Sequence, residues 1–256
     1  MSTERQLIQI KQSSYKHHSG SGKMNLWLNQ LANTLLPHLC PHCRSFCEGE
    51  GLCATCWQGL EQISTPYCSC CSRPLPYALP DSRCASCWVA PPPLTQICAA
   101  CRYDDVASSL VIRYKHADAL HLTPLLARLM RRFFDELSVP DQLVIPIPLG
   151  RRRYFRRRYN QSAELARYMA PDNFVPNLLI RQRNTPSQAG KNRKQRMYNV
   201  RGAFAVPAHQ KPALADRPIM LIDVVMTTGA TLFEAAKTLQ KSGAGPICGL
   251  VIARVN

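Results

Sequence analysis

The chain has 256 residues, 46% of them apolar, enough for a core that sustains itself and too many for a disordered polymer. Lys and Arg outnumber Asp and Glu by 32 to 16, a net charge of +16, which disfavours basic partners and favours polyanions, nucleic acid first. No apolar run reaches the roughly 18 residues that a membrane-spanning helix needs, so membrane insertion is not expected and the cytoplasm is the expected compartment.

Residues 1–23 are polar, with Lys16-His17-His18 and Ser19-Gly20-Ser21-Gly22, and read as a flexible tail, Met24 being a candidate start. Trp27, Leu28, Leu31 and Leu35 recur at helical spacing, which predicts a short amphipathic helix leading into a cysteine-rich segment. Twelve of the thirteen cysteines fall between Cys40 and Cys101. Four Cys-x-x-Cys pairs follow one another as Cys40/Cys43, Cys53/Cys56, Cys68/Cys71 and Cys84/Cys87. Zinc takes four thiolates tetrahedrally and each such turn supplies two, so these eight cysteines are the candidate ligands of structural zinc. Spacing permits sequential pairing or an interleaved one, the first pair with the third. Cys98/Cys101 has no partner pair and reads as ordinary buried strand residues, with Cys47, Cys70 and Cys248 as bystanders. No set leaves an open coordination position, so catalysis at zinc is not expected. Pro91-Pro92-Pro93 is a stiff connector. It divides a helix plus double zinc-ribbon module, residues 24–93, from a domain spanning 94–256.

The second domain opens with a strand around Ile97–Tyr103 and a helix from Asp105 to Lys115. A longer helix, Leu120–Leu137, places Leu122, Leu125, Leu126, Leu129 and Phe133 on one face. "LVIPIPL" (143–149) reads as a strand ended by its prolines. "RRRYFRRR" (151–158) then holds six arginines and no acid. Arginine suits bidentate phosphate contact, and the interleaved Tyr154 and Phe155, with Tyr159, could stack on bases. Arg151, Arg152, Arg153, Arg156, Arg157 and Arg158 are therefore candidate nucleic-acid contacts. So are Lys191, Arg193, Lys194 and Arg196, from a second acid-free basic stretch between Arg181 and Arg201. The alternative is a solvated basic face; either way, binding would be backbone-directed and salt-sensitive.

Asn160 can cap a helix through Met169, and Ala203–Val206 and Ile219–Ile222 are strand candidates. A helix is expected over Gly229–Ser242 with Gly243 beyond its end, then a buried strand over Ile247–Ala253. Strands alternating with helices predict a parallel-rich α/β sheet. Within it, "IMLIDVVMTTGATL" (219–232) carries an apolar strand into Asp223 and then a Thr-Gly loop that opens a helix. Backbone N–H groups at such a loop converge on phosphate, Thr227, Thr228 and Thr231 add hydroxyls, and Gly229 permits close approach, with Ala230 between them. Asp223 at the strand tip can accept from ribose hydroxyls. The alternative reading is a simple helix cap.

The same stretch closely resembles the phosphoribosyl-pyrophosphate (PRPP) loop of type I phosphoribosyltransferases. "VIPIPLGRRRYFRRRYNQSAELA" (144–166) and "RNTPSQAGKNRKQRMYNVRGAF" (183–204) are similar to segments of the ComF/GntX family, as are "CSRPLP", "CASCWVAPPP" and "VIRYKHADALHLTPLLARL". This resemblance, over about residues 37–254, implies a type I phosphoribosyltransferase-like α/β domain behind a zinc module. It implies a cytoplasmic role in competence or in using external DNA, with single-stranded DNA and other DNA-uptake or recombination proteins as partners. It places PRPP, with Mg, at Asp223 and Thr227–Thr231, with Asp223 the catalytic position. It also places a pyrophosphate-side loop at Pro146–Leu149 and a mobile flap at Thr185–Asn199. Two residues depart from the family. Val224 stands where a second acid usually follows the first, so transfer is expected to be slow or absent and Val224→Asp to raise it. Arg158 stands where glycine is usual, which is expected to alter the loop's backbone.

Three functions follow: a protein assisting uptake or use of external single-stranded DNA with a PRPP-binding site, an active Mg-dependent phosphoribosyltransferase on an unidentified acceptor, and a zinc-ribbon nucleic-acid regulator. The first is favoured by the charge and by Val224; the third lacks any sequence-reading helix.

Overall fold

Four apolar segments become the strands of one parallel sheet: β1 (Gln96–Arg102), β2 (Leu143–Pro146), β5 (Ile219–Met226) and β6 (Ile247–Arg254), in the order β1-β6-β5-β2. A short antiparallel pair, β3 (Ile180–Arg181) with β4 (Phe204–Ala205), stands apart. The computed structural model describes residues 38–47, 49–78, 80–116, 119–186, 190 and 192–255. The tail over 1–23, the helix expected at Trp27–Leu35 and Lys191 lie outside them. From Leu39 to Asn256 the chain forms one compact unit.

All eight positions of β6 are buried, as expected of a central strand covered on both faces. Helix α3 (Asp105–His116) follows β1, and α4 (Thr123–Leu137) follows a 3-10 turn at Leu120–Leu122. The face expected on α4 is the one that is buried: Leu122, Leu125, Leu126, Leu129 and Phe133 are each at most 9% exposed. It packs on β1 and β6, while α6 (Gln161–Met169) packs on β2 and β5. Each large apolar side chain so buried contributes roughly 1.5–3 kcal/mol against conformational entropy. After a short helix α8 (Lys211–Leu214), α9 (Ala230–Lys241) packs on β5, on β4 and on α7 (Arg193–Val200).

Among the elements that exceed the expectation from sequence, three bear on the site. Strand β5 runs four residues beyond Ile222 because β6 continues to pair with it, Val225 opposite Ala253 and Met226 opposite Arg254. Helices α5 (Arg151–Arg157) and α7 lie within the two basic stretches, where charge leaves little apolar period to read. Local capping still marks α7, since Asn192 and Gln195 exchange reciprocal hydrogen bonds with each other's backbone N–H.

The cysteine-rich region is built twice on one plan. In each half the first pair sits on a turn, Arg44 N–H donating to the Cys40 carbonyl at 2.9 Å and Ser72 N–H to Cys68 at 2.8 Å. The residue after each pair is left-handed, Arg44 at φ 65° and Ser72 at φ 54°. The second pair sits on a short helix, with Cys53 and Cys84 as the N-caps of α1 (Ala54–Gln58) and α2 (Ala85–Val89). The segment at Glu61–Ile63 joins this region to the sheet by lying along the free edge of β1. There Ile63 N–H donates to Ala100 at 3.0 Å and Arg102 N–H to Glu61 at 2.8 Å, so the edge is covered.

Candidate functional site

The eight candidate zinc ligands gather sequentially, Cys40, Cys43, Cys53 and Cys56 in one set and Cys68, Cys71, Cys84 and Cys87 in the other; the interleaved arrangement is not adopted. Within each set the sulfurs all lie within 4.8 Å of one another. Zn–S bonds of about 2.3 Å in a tetrahedron require sulfurs about 3.8 Å apart. Cys43 and Cys53 are 3.6 Å apart and Cys71 and Cys84 3.9 Å, so both sets fit the ion. Ionisation is favoured in part: hydrogen bonds from the Ser45 side chain and backbone bring the Cys43 thiol down to about 6. Burial opposes ionisation of Cys68, but the N–H groups of Cys84, Cys70 and Cys71 outweigh it and bring that thiol to about 7. Zinc bound by four thiolates has no open position, so these centres hold structure. Cys98 and Cys101, three apart on β1, point to opposite faces and cannot converge; burial pushes both thiols up to about 12.

A cleft of about 330 Å³ lies at the carboxyl ends of the parallel strands. That end of an open α/β sheet is where ligands bind, because loops and helix N-termini converge there. Asp223, Thr227, Thr228, Gly229, Ala230 and Thr231 all line it, and the loop leads into the N-terminus of α9. Gly229 has φ 76°, and a Cβ there would meet the Phe233 ring at 2.6 Å, so a side chain at this turn would be strained and would displace the ring. The Thr228 hydroxyl is buried without a protein partner. The opposite wall is Ile147, Pro148 and Leu149, three of the four residues of the expected pyrophosphate-side loop.

Among the described residues, five cations, Lys115, Arg153, Arg157, Arg181 and Arg196, line this cleft with one carboxylate, Asp223. Burial lowers Lys115, while Asp223 opposes that shift. Burial, reinforced by Arg153, brings Arg181 down to about 10. For Asp223 burial raises the carboxyl, against the Val224 N–H, Lys115, Ser162 and Arg181, which favour its charged form. Positive charge in such excess, desolvated and with the Nε atoms of Arg157 and Arg181 lacking protein partners, suits a polyanionic ligand.

The arginine run divides by helical period. Arg153 and Arg157, one turn apart on α5, enter the cleft, whereas Arg151, Arg152, Arg156 and Arg158 are exposed. Arg196 of α7 reaches the cleft, Arg193 lines a neighbouring cavity and Lys194 is exposed. Lys115, within a family-like segment, and Arg181, at the start of the second basic stretch, are not singled out as site residues by sequence; the fold carries both to the cleft.

Four consecutive residues at the start of α6 hold the walls together. Tyr159 hydroxyl donates to the Tyr114 carbonyl at 2.6 Å, and Asn160 Nδ2 to Ile147 at 3.0 Å while its Oδ1 caps the helix. Gln161 Nε2 donates to the Lys115 carbonyl at 3.3 Å, and Ser162 Oγ to Asp223 Oδ1 at 3.3 Å.

The two departures sit in different settings. Val224 is 4% exposed, points into the core between Asp223 and Val225, and does not line the cleft. On β5 Asp223 and Val225 line the cleft, while Val224 between them is turned to the other face of the strand. The expected gain from an acid at 224 is therefore corrected: it would enter the core. Arg158 adopts φ 65°, ψ −13°, the left-handed conformation that glycine commonly takes at a helix end, so an arginine closes α5 in a conformation that penalises its Cβ.

Residues 31–88 match the double zinc ribbon domain family. Competence protein F of Haemophilus influenzae is 32% identical over 216 residues, 80% of this chain and 91% of that protein. The DNA utilization protein YhgH of Salmonella typhimurium is 29% identical over 223 residues, covering 83% and 95% of the two chains. Competence protein ComFC of Bacillus subtilis is 26% identical over 201 residues, covering 76% and 80%. With two four-cysteine ribbons fixed to a parallel sheet and a relative this similar along most of its length, the chain belongs to the ComF/GntX family.

Proposed function

We propose that this protein assists the uptake or use of external single-stranded DNA and binds PRPP in the cleft above β5. The names of its relatives, competence protein F and DNA utilization protein, support the DNA role. The observation that carries the ligand reading is the cleft itself: five cations and one carboxylate around a Thr-Gly loop at a helix N-terminus. In this reading the amides and hydroxyls of Thr227–Thr231 hold the 5′-phosphate. Asp223 accepts from ribose hydroxyls, and Arg153, Arg157 and Arg181 face the pyrophosphate. Mg, when bound, would neutralise the pyrophosphate further. Exposed Tyr154 and Phe155, beside Arg151, Arg152 and Arg156, form a surface for stacking bases between phosphate contacts.

Calorimetric titration with PRPP and Mg tests the ligand. Micromolar binding, lost in Thr228→Asp because a carboxylate then faces the phosphate, supports it; no heat at millimolar PRPP rejects it. Pyrophosphate release with and without single-stranded DNA separates a binding role from transfer. Brisk release would favour the transferase reading, for which the intact loop and Asp223 speak.

A further inference from the structure

Arg254 ends β6 with 3% of its surface exposed. A buried guanidinium requires an anion nearby, since desolvation otherwise costs several kcal/mol. Among the described residues no carboxylate pairs with it. Its Nη1 donates to the Cys71 carbonyl, and its Nε has no protein partner. Arg254 also lines a cavity of about 170 Å³ together with Cys71, Cys84 and Cys87, the other wall being Met226, Thr227 and Thr228.

Zinc with four thiolates carries a net double negative charge. In the first centre Cys43 is exposed and water solvates that charge; in the second all four cysteines are buried. We propose that Arg254 is the counter-charge of the second zinc–thiolate centre and couples that centre to the Thr-Gly loop. The coupling path is short. Arg254 stands opposite Met226 in the β5–β6 register, Val255 N–H donates to the Met226 carbonyl at 2.9 Å, and Met226 immediately precedes the loop. Arg73 and Arg193 border the same cavity but are exposed, so water screens their charge. Arg254 acts as a positioning residue: it touches no ligand of the cleft and makes the state of one zinc centre felt at the loop's base.

Zinc release from the full chain to a chromophoric chelator tests this. Arg254→Met keeps bulk and removes charge; release from one centre should accelerate by about tenfold or more, the scale of a partly screened charge pair, while the other keeps its rate. In wild-type protein, loss of that zinc should speed hydrogen exchange at the amides of 226–231, read by mass spectrometry. Two centres releasing at wild-type rates in R254M, or both accelerating equally, overturns the counter-charge. Loop exchange unchanged by zinc loss overturns the coupling. If R254M does not fold, Arg254→Lys decides: it retains the charge, so release within about threefold of wild type supports the proposal, and release of both zincs at an equally raised rate overturns it.

Discussion

Ser162 Oγ and the Val224 N–H both donate to Asp223 Oδ1, at 3.3 Å and 2.7 Å, so this cleft carboxylate is held between helix α6 and its own strand. Even so, burial raises Asp223 above the ordinary value of 3.8. The folded chain therefore holds this proton more tightly than the unfolded one, and stability falls as pH rises from 3.8 through the folded value. Asp223→Asn should raise Tm near neutral pH, with the advantage vanishing as pH approaches 3.8, while weakening PRPP binding. A lower Tm in D223N near neutral pH would show that Asp223 stabilises the fold.

Val224→Asp should not raise transfer. An aspartate there sits in the apolar core at a position 4% exposed and costs on the order of 3–5 kcal/mol as a buried unpaired charge. Denaturant melts would show a lowered midpoint; a wild-type midpoint with increased pyrophosphate release would overturn this placement.

Arg158→Gly should stabilise the protein. The left-handed conformation at φ 65° penalises a Cβ by about 1–2 kcal/mol, part of which glycine's unfolded-state entropy offsets. The expected gain is about 1 kcal/mol, or roughly 2–4 °C in Tm for a chain of this size.

The two faces of α5 should separate in function. Replacing Arg151, Arg152 and Arg156 with Gln removes up to three phosphate contacts, each worth about 0.7 in the salt slope of single-strand binding, and leaves PRPP affinity unchanged. Replacing Arg153 and Arg157 should do the reverse, lowering PRPP affinity by tenfold or more at about 1.4 kcal/mol per decade. Identical effects of the two variants would remove the helical division.

Zinc loss should be tolerated unequally. Cys71 belongs to the same buried cluster as the sheet, and Cys43 is exposed outside it. Cys71→Ser should lower the main unfolding transition, whereas Cys43→Ser should loosen the first ribbon and leave the sheet's melting nearly unchanged. Elemental analysis should find about one zinc equivalent missing in each variant.

What the sequence determined by itself is whatever a few neighbouring residues encode. Four Cys-x-x-Cys pairs in succession supply two tetrahedral sets of thiolates, so the eight ligands were legible, as were the Thr-Gly loop behind an apolar strand and the period of α4. Tertiary structure decided what depends on distant partners. Spacing allowed two pairings of the cysteine turns, and only the fold shows that the sequential one is adopted. The arginine run was legible as charge, but only the seat of α5 beside the cleft sends Arg153 and Arg157 inward. Lys115 reaches the cleft because Tyr159 and Gln161, more than forty residues later, fasten the end of α3. Whether Val224 could serve the ligand was set by strand alternation beneath helices that no local window contains, and that alternation turns it into the core.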